Sequence, residues 1–172
     1  SLPFSGFKEE SSLSFSVLTN KYSAVLSNVS GGSFRSFQIT DFGPKKMQYL
    51  GGYDESGLYN DSLNVELLGL ADLGCSPCLQ NLNTEEFIDI PFSVVSPAFD
   101  NNHIFSLEEF DSLVVVMEGS WENKKIIKTT TFFGDNYVIK HEYALQNSSS
   151  NVFGVVWNGG IKTTEKNLTE EL

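Results

Sequence analysis

Leu113-Val-Val-Val-Met-Glu118, Gly119-Ser120, Lys125-Ile-Ile-Lys-Thr-Thr-Thr-Phe-Phe133, Gly134-Asp-Asn136 and Tyr137-Val-Ile-Lys-His-Glu-Tyr-Ala-Leu145 follow one another along the chain and decide its fold class. Three runs of strand length, rich in β-branched and aromatic residues, are separated by short clusters of turn residues. That pattern is a β-hairpin series with long arms. On the last arm, Tyr137, Ile139, His141, Tyr143 and Leu145 fall on one face while Lys140 and Glu142 fall on the other, because successive side chains of a strand point to opposite sides. One face is core and the other is wet.

Working outward, Leu13, Phe15 and Val17 alternate with Ser14 and Ser16, the period of a half-buried strand. Asn20 and Lys21 make a turn, a second strand runs about Tyr22 to Leu26, and Gly31-Gly32 leads to a third from Phe34 to Ile39. The opening is thus a β-meander. From Gly43 to Asp61 the glycines and aromatics predict a long ordered loop. Leu63 to Leu70 fits strand or short helix, turn residues return from Gly74 to Asn83, and Phe87 to Val95 is a strand that Pro91 confines to an edge. Ser106 and Glu109 have capping-box spacing, which predicts a short helix near Leu107 to Phe110. Asn147 to Asn151 is a polar turn, and Val152 to Trp157 is the last strand. A sheet with one apolar face must bury it on another layer, so the fold class is all-β, an antiparallel β-sandwich with at most one or two short helices.

The composition agrees. With 172 residues, 40% hydrophobic and 19% charged, the chain has enough apolar material for one sizeable core, read as a single domain or partial domain over residues 1–172. The formal net charge of −11 disfavours nucleic acid, whose phosphates need Lys and Arg opposite them, and disfavours an anionic membrane surface for the same reason. No stretch approaches the ~20 apolar residues of a membrane helix, and the longest apolar run, Leu113 to Met117, has strand length. The start at Ser1, with no initiator Met and no signal-like segment, reads as a cloned or processed boundary.

Several constellations invite chemistry. Cys75-Ser-Pro-Cys78 has the spacing of a thiol-disulfide motif but lacks a surrounding βαβ pattern, so a local disulfide or a pair of free thiols is the alternative reading. His103 and His141 match no common zinc spacing; His103 reads as an exposed loop residue and His141 as a satisfied histidine on an apolar face. Glu85-Glu86 with Asp89, and Glu108-Glu109 with Asp111, are plentiful carboxylates whose neutral interpretation is a solvated acidic face. Trp121, Trp157 and the tyrosines fit core packing, or a groove for sugar or peptide. Gly31-Gly32, Gly51-Gly52 and Gly159-Gly160 lack phosphate-loop spacing.

Two blocks of the chain resemble a known family. Leu13-Ser-Phe-Ser-Val-Leu-Thr-Asn-Lys-Tyr22, running on through Ala24, Leu26, Asn28, Gly31-Gly32, Phe34, Phe37 and Ile39, resembles the opening of the large periplasmic domain of YidC-type membrane protein insertases. Lys128-Thr-Thr-Thr-Phe-Phe-Gly-Asp-Asn-Tyr137, with Tyr143, Leu145, Gln146-Asn147, Trp157-Asn-Gly-Gly160, Thr164-Glu165 and Asn167, resembles a later hairpin of that domain. The blocks cover roughly residues 13–42 and 120–172, and the stretch from Gly43 to Gly119 carries no matching motif. The resemblance implies a β-supersandwich related to galactose-mutarotase-like proteins, on the periplasmic face of the bacterial inner membrane. It implies an accessory, non-catalytic role without cofactor or metal, in contact with Sec translocon components and nascent membrane proteins. The family's insertase groove lies among transmembrane helices that this chain does not contain, so no insertase residue carries over. A carbohydrate-binding or carbohydrate-modifying β-sandwich is the rival reading, and a thiol-disulfide protein built on Cys75 and Cys78 the third.

Overall fold

The computed structural model describes residues 12–40, 49–68, 75–146, 152–157, 162 and 164. Within them the chain runs β1 (Ser14–Leu18), β2 (Tyr22–Ser27), the helical turn α1 (Val29–Gly32), β3 (Phe34–Ile39), β4 (Leu50–Tyr53), β5 (Tyr59–Glu66), β6 (Cys78–Asn81) and β7 (Glu86–Phe87). It continues with β8 (Ser93–Ser96), β9 (His103–Ser106), β10 (Ser112–Trp121), β11 (Lys124–Phe133), β12 (Ile139–Gln146) and β13 (Phe153–Val156). Three sheets result, ordered β4-β5-β3-β2-β1-β9, β12-β11-β10-β8 and β13-β6-β7. Every pairing is antiparallel except that of β1 with β9. The fold is an all-β sandwich.

The core lies between the six- and four-stranded sheets. Phe15, Val17, Tyr22, Ala24, Leu26 and Phe34 of the first join Val115, Met117, Ile126 and Phe132 of the second in one buried cluster. The Phe15 ring meets that of Phe132 edge-on at 6.4 Å, and the Tyr22 hydroxyl donates to the Phe133 carbonyl at 3.2 Å. Each large apolar side chain taken from water contributes about 1.5–3 kcal/mol, which is why the alternating strands commit their apolar faces here. The three-stranded sheet adds Leu79 to the cluster, and Phe153 on β13 meets Trp121 edge-on at 5.9 Å.

Several local expectations change. Ser106 ends β9 rather than capping a helix, and the segment after it is a turn in which Asp111 accepts from the Glu108 amide at 2.9 Å and donates its own amide to the Glu108 carbonyl at 3.0 Å. Among the described residues the only helical segment is α1, whose Ser30 and Gly31 have left-handed dihedrals. Residues 41–48 lie outside the described set, but the rest of the expected Gly43–Asp61 loop is largely the β4–β5 hairpin. Asp54 closes it by accepting from the Ser56 and Leu58 amides at 2.9 and 3.0 Å. Leu63 belongs to the strand β5, and the expected turn before Asn83 contains β6. Pro91 splits the expected Phe87–Val95 strand into β7 and β8, each at the edge of a different sheet.

The turn expected at Gly119-Ser120 is strand instead. β10 runs through to Trp121, and the reversal is made by Glu122 and Asn123, with φ of 45° and 61°. Two successive positive φ values give a turn whose twist matches that of the flanking strands. Gly119 is present for a different reason: the Phe92 ring occupies the space a Cβ would need.

Candidate functional site

A groove of about 520 Å3 opens between β3 and β12, lined by Phe34, Phe37, Leu67, Leu68, Tyr137, Ile139, His141 and Trp157. A volume of this size suits a drug-sized molecule or a short peptide segment. Its floor depends on a β-bulge. Opposite β2, Leu26 pairs with Phe34 but Val25 pairs with Ser36, so Arg35 is the extra residue. The bulge restores the face that a three-residue spacing would otherwise lose, and Phe34 and Phe37 come to the same side, their rings 6.1 Å apart and edge-on. Simple alternation along Phe34-Arg-Ser-Phe37 places them on opposite faces, so the pair was not legible without the bulge.

The opposite wall comes from β12, on which Tyr143, His141 and Ile139 are half-buried and Lys140 and Glu142 exposed, as the alternation requires. The His141 ring stands edge-on to Phe34 at 5.6 Å, and its Nδ1 shares a hydrogen bond with the Thr130 hydroxyl at 3.0 Å. Burial, and then the nearby Lys128 charge, depress its pKa to about 3, so the imidazole is neutral at physiological pH. Trp157 sits at the rim, 6.0 Å from Phe34 and 46% exposed. That differs from the core position expected for it. Trp121 is the buried one, at 8%.

Behind this wall lies a group that sequence reading passed over. Lys128, across the sheet from Tyr143, points into the core, 1% exposed, and its ammonium donates to the Gly31 and Gly32 carbonyls at 2.9 and 2.8 Å. It also lies 5.4 Å from the Tyr143 ring centre. Desolvation lowers its pKa to about 7. Its position was legible, since it shares the alternation of Ile126 and Thr130; the charge pointed to a surface, and only the carbonyls of a non-local turn make burial tolerable.

Cys75 and Cys78 are bridged, and both are buried, at 2% and 0%. Their loop is tied into the sandwich: the Ser76 amide donates to the Ser33 hydroxyl, Phe34 donates to the Ser76 carbonyl, and the Tyr143 hydroxyl donates to the Pro77 carbonyl at 3.2 Å. His103 opens β9, exposed, with its ring 4.4 Å from that of Phe105. Glu85, Glu86, Asp89, Glu108, Glu109 and Asp111 are exposed, and none of them lines the groove. Among the described residues no three His, Cys, Asp or Glu side chains gather as a metal site.

A second recess, about 450 Å3, lies against the other side of β3 and includes Arg35, Asp54, Glu66 and Lys162. Its charges are used by the fold: Glu66 accepts from the Ser36 hydroxyl and from the Phe37 and Leu68 amides, and Lys162 donates to the Tyr53 carbonyl at 2.8 Å. The apolar groove is therefore the better candidate. No family model, curated protein or solved structure matches this chain.

Proposed function

We propose that this chain is a non-catalytic contact module, the accessory periplasmic domain of a YidC-type membrane protein insertase. In that role it touches Sec translocon components and client membrane proteins from the outer face of the bacterial inner membrane. One observation carries the reading. The two blocks that resemble the family are the two that clasp each other. Lys128 of the later block holds the Gly31-Gly32 turn of the earlier one, 97 and 96 residues away in sequence. Tyr22 bonds to Phe133 and Phe15 packs on Phe132 across the same seam.

The contact role is supported by the groove wall, whose described residues include no carboxylate and one imidazole, held neutral, so they offer apolar area rather than a proton-transfer pair. The complete reading frame tests the proposal. An upstream membrane helix with a cluster of about five more downstream, each of ~20 apolar residues, is the expected result. A secretory signal peptide with no further membrane helix overturns it in favour of the carbohydrate-binding reading, for which the exposed Trp157 and Tyr137 speak.

A further inference from the structure

We propose that the groove between β3 and β12 binds an extended apolar polypeptide segment flanked by basic residues, which adds as a strand to the outer edge of β12. This deepens the contact-module reading by naming the surface and the chemistry of the partner.

The lining weighs against the main rival. Of the eight described residues on the wall, none is charged and none is Asn, Gln, Ser or Thr. A sugar ring brings several hydroxyls, and each one moved from water without a partner costs free energy. The wall answers with His141, Tyr137 and Trp157 alone, and His141 has already committed Nδ1 to Thr130. An apolar peptide has the opposite requirement: its side chains suit the wall, but its backbone N–H and C=O groups need partners.

β12 supplies them. It is the terminal strand of its sheet, with β11 on one side and, among the described residues, no strand on the other. An eight-residue edge gives a peptide main chain a ladder to join. A strand laid against it continues the alternation of β12, so every second side chain falls on the side of Ile139, His141 and Tyr143, over Phe34, Phe37 and Trp157. Charge selects the flanks. The chain carries −11 overall; on β12 the exposed Lys140 is paired with Glu142, and Asp135, two residues before Tyr137, is exposed. Lys or Arg at the ends of the segment is drawn to that field, whereas acidic ends are repelled.

The test is titration of the chain into a capped, fluorescein-labelled synthetic peptide of about six alternating Val and Thr residues with Lys at each end, followed by fluorescence anisotropy of the label, a readout that survives substitution of Trp157. Saturable binding is expected, weakened about thirtyfold or more by Trp157→Ala or, independently, by Tyr137→Ala. Both side chains are nearly half exposed, so each variant should stay folded, with a cooperative melt above the titration temperature. Glu at both peptide ends should weaken binding about tenfold, and N-methylation along one peptide edge should abolish it. No binding at about 1 mM chain overturns the proposal, as does binding indifferent to N-methylation. Two further outcomes overturn it by naming another occupant: saturation by a maltooligosaccharide instead of the peptide, or concentration-dependent dimerisation that Trp157→Ala removes. The reading frame and the titration answer separately, so this inference and the insertase reading can fail independently.

Discussion

Lys128 shows how a single residue sets a property of the whole fold. Its ammonium is buried, and two carbonyl acceptors do not fully replace water, so its pKa falls from 10.5 to about 7. Between those values the unfolded chain binds a proton that the folded chain does not, so stability rises with pH across that window, by up to a few kcal/mol. His141 acts in the same sense at lower pH: its folded pKa of about 3 against 6.5 means that stability is lost as pH falls from 6.5 towards 3. Tyr143 and Tyr22 act oppositely, because burial raises both, and the unfolded chain releases their protons first above pH 10. Urea unfolding across pH is therefore expected to show a midpoint that climbs from pH 7 to a maximum near pH 10. In Lys128→Met the climb from pH 7 to 10 should vanish, while the loss below pH 6.5 remains. A flat profile in the parent chain would mean that the Lys128 ammonium is solvated.

At the scale of elements, the β10–β11 hairpin shows where local sequence speaks and where it misleads. Its arms were legible, because runs such as Lys125 to Phe133 are long and rich in β-branched residues. Its turn was not, since Gly119 looks like a turn residue while Glu122 does not. Gly119 answers to Phe92, a contact 27 positions away in the sequence, and the strained φ pair at Glu122-Asn123 is imposed by the register of two ten-residue strands. Asn-Gly suits that turn better than Glu-Asn. The double substitution Glu122→Asn and Asn123→Gly is expected to stabilise the protein by about 0.5–1 kcal/mol, read as a higher urea midpoint at unchanged slope. The Lys124–Glu122 pair that it removes is exposed on the Glu122 side and worth at most about 1 kcal/mol, and Lys124 keeps its place over the Trp121 ring. The capping spacing of Ser106 and Glu109 failed for the converse reason. A parallel pairing with β1 extends β9 through Ser106, and that ladder outweighs a helix of one turn.

At the scale of the molecule, the Lys128 clasp and the Cys75–Cys78 loop meet at the Gly31–Ser33 turn. A Cβ built on Gly31 would lie 3.3 Å from the Cys75 sulfur. Joining residues only three apart, the bridge limits less unfolded-chain entropy than a long loop would, so Cys75→Ala with Cys78→Ala should cost about 2–4 kcal/mol, largely for the space the two buried sulfurs leave. The double variant is expected to stay folded, with a sigmoidal urea transition at a lower midpoint; a non-cooperative transition would show that the loop organises the sandwich. The sequence by itself determined the fold class, the meander, the long hairpin and the inward face of β12, because period-two alternation and aromatic, β-branched composition are local signals that burial enforces everywhere. Only the tertiary structure decided the groove, the exposed Trp157 and the buried Lys128. Each depends on which strands face each other, on a bulge at Arg35 that reverses the alternation, and on carbonyls from a turn nearly a hundred residues distant. No local pattern encodes a partner that far along the chain.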